Sequence, residues 1–228
     1  MIRPRRCSVD SSIQNPIAIP SILQQLSILP RSFYLRPTIT VARDLLGKYL
    51  VRKSGKQVLI GRIVEVEAYL GKRDPASHTF RGKTKRNEVM FREGGHLYVY
   101  FTYGMHFCAN VVTGQEGIGE AVLLRAVEPV DGIETMSFHR GFGKGENTYN
   151  LTNGPAKLCQ AFGLNRSDNG TNLLSGNTLI MGTRRKVKES IVATTRIGIR
   201  VGNEFKWRFV VRNSGWASRR PPKSSAGN

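Results

Sequence analysis

Glu65 and Glu67 stand two positions apart in the run Arg62-Ile-Val-Glu-Val-Glu-Ala-Tyr69. A β-strand alternates its faces, so Ile63, Glu65, Glu67 and Tyr69 share one side and Val64, Val66 and Ala68 the other. The second side is an ordinary core face. The first is either solvated, as one face of an antiparallel sheet often is, or covered. If it is covered, its acids must be paired or used, because a carboxylate is costly to bury alone and is well suited to proton transfer. Two further residues stand out. Arg125 is a cation set among the apolar neighbours of 121–127. Tyr103 precedes Gly104 at the tip of a predicted hairpin, where it either folds back onto the sheet or stands out as a wedge able to enter a base stack. His78, His96, His106 and His139 lack metal-ligand spacing to Cys, Asp or Glu. Of these, His96 and His106 read as structural and His139 as a charge partner at a helix C-terminus.

The elements that must hold these groups follow from the pattern. A helix opening at Pro37 and Thr38 or Thr40 runs through Val41, Leu45 and Leu46 to Gly47. Residues 48–53 and 58–69 read as strands joined at Ser54-Gly-Lys56, and 96–103 and 106–113 as strands around Tyr103-Gly-Met105. A third strand at 121–127 completes a meander. Between them lies an irregular stretch, 71–95, rich in Lys and Arg; a loop of that length is usually functional. Asp131 is expected to cap a helix ending at Gly141, and Asn153-Gly-Pro155 to start one ending at Gly163. Further strands are expected at 179–181, 191–193, 197–201 and 207–211. Gly141-Phe-Gly-Lys-Gly-Glu146 lacks dinucleotide-binding spacing.

The chain has 228 residues and a formal charge of +19, enough length for one medium domain and a basic balance whose default partner is nucleic acid. No apolar run approaches a membrane span, so no membrane partner is expected. Three cysteines, Cys7, Cys108 and Cys159, without a CxxC pair, fit a reducing compartment with neither disulfides nor zinc. The expected organisation is a weakly ordered arm at 1–30, a domain at 31–213 and a loose basic tail at 214–228.

Taken in order, Leu45-Leu-Gly-Lys48, Arg62-Ile-Val-Glu-Val-Glu-Ala-Tyr-Leu-Gly71, Asp74-Pro-Ala-Ser-His78, Arg86-Asn87, Met90-Phe91, Gly95-His-Leu-Tyr-Val-Tyr-Phe-Thr-Tyr-Gly-Met-His106, Leu123-Leu-Arg-Ala126 and Asn153-Gly-Pro-Ala-Lys-Leu158 resemble the alkyladenine (3-methyladenine) DNA glycosylases over about 33–211. The resemblance implies a mixed α/β (α+β) single domain with a curved antiparallel sheet flanked by short helices. It implies a monofunctional hydrolase, without cofactor or metal, that flips alkylated purines from double-stranded DNA and starts base excision repair. The substrates it implies are 3-methyladenine and, in some members, hypoxanthine or ethenoadenine. By motif, Glu67 becomes the base that activates water, and Arg125 its orienting partner near the 3′ phosphate. Tyr69, His78 and Tyr100 become walls of a base pocket, Asn110 its floor against guanine's amino group, and Tyr103 the wedge. Lys83, Lys85 and Arg86 suit the DNA backbone, although Gly82-Lys-Thr-Lys-Arg86 has lysine where many members carry proline. A monomer is expected, in the cytoplasm or nucleoid of a bacterium or the nucleus of a eukaryote. The rival reading is a non-catalytic basic nucleic-acid-binding protein, which gains nothing from a carboxylate aimed at DNA. For Glu65 the sequence offers only a salt bridge.

Overall fold

A computed structural model describes residues 21–143, 145–183 and 190–221. Its strands are β1 (Ser27–Ile28), β2 (Tyr49–Ser54), β3 (Gln57–Tyr69), β4 (Leu97–Thr102), β5 (His106–Thr113), β6 (Glu120–Asp131), β7 (Thr178–Gly182), β8 (Ile191–Thr194) and β9 (Arg208–Val211). They make one open antiparallel sheet of nine strands: seven run in the order β1-β7-β2-β3-β6-β5-β4, and β9 pairs with β3 off this path and carries β8. The helices are short: α1 (Arg31–Tyr34), α2 (Thr38–Leu45), α3 (Ile133–Arg140) and α4 (Pro155–Ala161). The fold is mixed α+β, as the resemblance implies.

β3 is the organising strand because it serves three partners. Along one edge it pairs β6 from Ile60 to Tyr69; along the other, β2 takes its first half and β9 takes Glu65, Val66 and Glu67. Register shifts against β6 on either side of Glu65 mark a bulge, a device that bends a strand and re-aims side chains. Earlier on the strand, Gly61 permits a close approach: a Cβ there would meet Val127 at 2.7 Å and the Phe162 ring at 3.0 Å. Val64, Val66 and Ala68 join Val41, Ala42 and Leu45 of α2 and Leu158 and Ala161 of α4 in the core. Full burial of a Val or Leu contributes about 1.5–3 kcal/mol, so α2 is held mainly by this face.

Several expectations are corrected. Residues 197–201 form an irregular loop, not a strand, and Asp131 ends β6 instead of capping a helix; Gly132, with φ of 73°, takes the cap position. Within the predicted loose arm, Ser27 and Ile28 pair with β7 and Leu26 and Leu29 are buried. Within the predicted loose tail, Trp216 packs against the core and Ser218 bonds a buried acid described below. Residues 1–20 of the expected arm and 222–228 of the expected tail lie outside the described residues. His96 and His139 spend Nδ1 on the carbonyls of Glu93 and Ala161, and Cys108 and Cys159 are free and buried.

Candidate active site

Both acids of β3 are completely buried, so the solvated-face alternative is excluded. Arg125, projecting from β6, bridges them: its Nε lies 3.0 Å from Glu65 and its Nη1 3.2 Å from Glu67. Glu65 is saturated by other donors as well. Arg208 of β9 reaches it at 2.7 Å, the Ser218 amide at 2.5 Å and the Ser218 hydroxyl at 2.7 Å. Arg125 also donates to Ser218 Oγ at 3.3 Å. Two acids therefore face two guanidinium groups, and this neutral balance is what makes their burial tolerable.

Glu67 is held differently. Its Oε2 accepts from the Tyr69 hydroxyl at 2.9 Å and its Oε1 from the Ile197 amide at 2.7 Å. Burial raises its pKa above the ordinary carboxylate value; Arg125, the Ile197 N–H and Tyr69 oppose that rise without cancelling it, and Glu65 adds to it. The Tyr69 phenol is driven far up by its own burial and by Glu67, so it donates as a neutral hydroxyl.

Above this cluster opens a cavity of about 340 Å³ whose lining includes Tyr69, His78, Tyr100, Asn110 and Arg125. Its volume falls at the lower end of small-ligand sites, about 300–1,000 Å³. Glu67 lies behind this lining, against Tyr69, Arg125 and Ile197. The aromatic wall follows from the period of two on β4: Leu97 and Val99 face the core, while Tyr98 and Tyr100 face the cavity. The Tyr98 and Tyr100 rings stack at 5.5 Å, and His78 meets Tyr100 edge-on at 4.5 Å. His78 Nδ1 and the Tyr98 hydroxyl share a bond of 3.2 Å. Although part of the imidazole stays exposed, crowding by these rings and, secondly, the Arg86 cation lower its pKa, favouring the neutral form. Asn110 is buried and donates its amide to the Tyr98 carbonyl at 3.2 Å.

At the rim, Tyr103 is 85% exposed. It has φ of 51° and Gly104 φ of 69°, the pair of positive central values of a tight turn that the Met105 N–H closes on the Thr102 carbonyl at 3.3 Å, within a three-residue hairpin connection. A bulky residue there is strained by about 1–3 kcal/mol, and such strain tends to mark functional positions. Lys83, Lys85 and Arg86 are exposed; Arg86 stands 5.9 Å from the Tyr100 ring at the cavity mouth. Among the described residues no group of three or more His, Cys, Asp or Glu could hold a metal ion, and no helix is long and apolar enough to cross a membrane.

The model of the methylpurine-DNA glycosylase family matches residues 32–215. The chain belongs to the methylpurine-DNA glycosylase family. It is on that ground a DNA glycosylase, a hydrolase of N-glycosyl bonds whose substrate is DNA. Relatives named "Putative 3-methyladenine DNA glycosylase" agree. One from Carboxydothermus hydrogenoformans is 52% identical over 194 residues, 85% of this chain and 100% of its own. One from Methanoculleus marisnigri is 49% identical over 195 residues, 84% and 99% of the two chains, and one from Francisella tularensis is 46% identical over 186, 80% and 94%.

For this glycosylase, the structure brings Glu67, Arg125, Tyr69, His78, Tyr100, Asn110 and Tyr103 around one cavity and its floor. Lys83 and Lys85 stand on the neighbouring loop, outside the lining. Sequence reasoning missed Tyr98, whose signal was its i, i+2 spacing to Tyr100, and the 197–201 loop, which lines the cavity and was read as a strand. It also missed Arg208 and Ser218, which no local pattern links to Glu65.

Proposed function

We propose that this glycosylase excises alkylated purines, 3-methyladenine foremost and hypoxanthine or ethenoadenine within its range, with Glu67 as the base that activates water and Arg125 as its orienting partner. The observation that carries this reading is the buried Glu67 carboxylate, aimed from behind an aromatic-walled cavity. A carboxylate offers about four acceptor directions; Arg125, Ile197 and Tyr69 take three, and the fourth is available for a water attacking C1′. Because the transition state at the sugar is oxocarbenium-like, the same charge stabilises it electrostatically. A purine cannot be reached inside a duplex, so the nucleotide is flipped at a cost of a few kcal/mol, less for a damaged, poorly stacked base. A cationic alkylpurine then gains about 0.5–2 kcal/mol from each electron-rich ring it contacts, the role assigned to Tyr69 and Tyr100 with His78 at its edge. Such a base leaves readily without an acid. Asn110 is assigned to exclude guanine's exocyclic amine at the floor. The catalytic unit is placed at residues 31–213, with 26–29 and 214–218 docked on it, and acts as a monomer on duplex DNA. Incubation with duplexes that each carry one lesion, followed by alkali cleavage, tests this reading; no cleavage on any alkylpurine duplex would contradict it.

Tyr103 is assigned to fill the gap left by the flipped nucleotide. Tyr103→Gly suits the positive φ and relieves that strain, so stability should not fall while affinity for an abasic-site duplex drops. Unaltered affinity in a binding titration would remove the wedge from the mechanism. Binding as a whole should weaken with salt through counterion release. If Lys83 and Lys85 each neutralise a phosphate, Lys83→Ala/Lys85→Ala should make the slope of log K against log salt less steep by about 2. An unchanged slope would place the DNA backbone elsewhere.

A further inference from the structure

Arg196 is a buried cation that neither the acid pair nor DNA contact explains. Its side chain is fully buried and grips Asp74, equally buried, with both prongs: Nη1 to Oδ2 at 2.5 Å and Nη2 to Oδ1 at 2.8 Å. Nη1 also donates to the Ala68 carbonyl at 3.0 Å. The guanidinium lies 4.7 Å from the Tyr69 ring and 5.1 Å from the Trp207 ring, and its Nε has no hydrogen-bond partner among the described residues. A buried donor left unmatched calls for an explanation. The loop that follows closes back on the same group, since a Cβ at Gly202 would come within 3.0 Å of Arg196 Nη2. Between those points residues 197–201 line the cavity, and the Ile197 amide reaches Glu67. Asp74 in turn receives the Leu70 and Ala76 amides, at the root of the loop that carries His78.

We propose that the Arg196–Asp74 pair is a positioning device that pins the 197–201 loop and the His78 loop together behind Tyr69 and thereby holds the Ile197 amide on Glu67. The inference rests on Glu67 being the base. Asp74 and Arg196 touch neither the cavity lining's open face nor the reacting atoms; they act through Ile197 and Tyr69. Releasing the loop removes one donor from Glu67 and leaves Arg125 from β6 and Tyr69 on β3 as its supports. Glu65 on β3 opposes ionisation, Tyr100 of β4 and Cys108 of β5 are close enough to feel the Glu67 charge, and Arg208 of β9, its register partner, is spent on Glu65.

The test is the pH dependence of single-turnover purine release for wild type, Arg196→Lys and Asp74→Asn, with amide hydrogen exchange at Ile197 in each. Arg196→Lys keeps the charge but loses the two-pronged bond; Asp74→Asn keeps the shape but loses the charge. The expected result is a slow-exchanging Ile197 amide in wild type that loses protection in the variants. Their neutral-pH release should drop about 10- to 100-fold, and their acid limb should move up by about one pH unit. A wild-type acid limb and an unchanged Ile197 exchange rate in either folded variant overturn the proposal. A free-peptide exchange rate at Ile197 in the wild-type protein does so without any variant. Active Glu67→Gln protein would instead overturn the assignment of the base.

Discussion

Glu67→Gln releases alkylated purine at least about a thousandfold more slowly than wild type under single-turnover conditions, yet binds an abasic-site duplex with affinity unchanged within a few-fold. A thousandfold is about 4 kcal/mol of activation free energy, within what a positioned base together with electrostatic stabilisation contributes. The variant keeps the fold because Gln is nearly isosteric and Arg125 still has Glu65 at 3.0 Å. Binding persists because Tyr69, His78 and Tyr100 are untouched and the buried carboxylate does not itself line the cavity. Near-wild-type release would mean that water is activated elsewhere; loss of binding and release together would mean that Glu67 is structural.

Glu65→Ala shows the largest expected loss of stability, about 3–5 kcal/mol, because it strips a buried carboxylate from two buried guanidinium groups. At about 2–4 °C per kcal/mol for a chain of this size, thermal unfolding should begin roughly 6–20 °C lower. The exposed Arg36–Asp44 pair, at 2.7 Å with side chains 36% and 50% accessible, is the control: Asp44→Asn should cost no more than about 1 kcal/mol. The contact distances are alike, but Glu65 is buried and holds two guanidinium groups, whereas Asp44 is exposed and holds one. A Glu65→Ala shift as small as that of Asp44→Asn, read by calorimetry or denaturant titration, would show that the Glu65 site is hydrated. The damage should reach chemistry too, since Ser218 and Arg125 are both tied to this acid.

How much of this was legible in the sequence depended on the range of the interaction. Alternation along β3 and β4 is local, so the shared face of Glu65, Glu67 and Tyr69 and the turn at Tyr103-Gly104 could be read directly. Arg125 stood out as a cation in an apolar strand, and the motifs of the family resemblance supplied its role and those of His78 and Asn110. Contacts across 130 or more positions left no such trace. Ile197 donating to Glu67, Arg208 to Glu65 and Ser218 to Glu65 join segments whose own patterns point elsewhere: 197–201 alternates like a strand, and the segment after Ser214 reads as a loose tail. The loop fails as a strand because Gly198 takes φ of 78° and the Ile197 amide is spent on a carboxylate in place of a ladder. Arg196, beside Thr194 and Thr195 and far from any acid in sequence, likewise gave no sign of its partner Asp74.

The role of Glu67 is tested most directly by the rate of wild-type single-turnover release from a duplex carrying one cationic alkylpurine, measured from pH 4 to pH 8 and corrected for spontaneous depurination. A cationic base needs no acid, so the pocket groups that titrate in this window are Glu67 and His78, and the same profile for His78→Gln isolates the carboxylate. Since the ionised form acts and burial raises its pKa, release should climb about tenfold per pH unit and level off above the ordinary glutamate value of about 4.3. A rate independent of pH across that range would contradict a carboxylate as the group that delivers water; an inflection at or below that ordinary value would contradict the effect of its burial on the pKa.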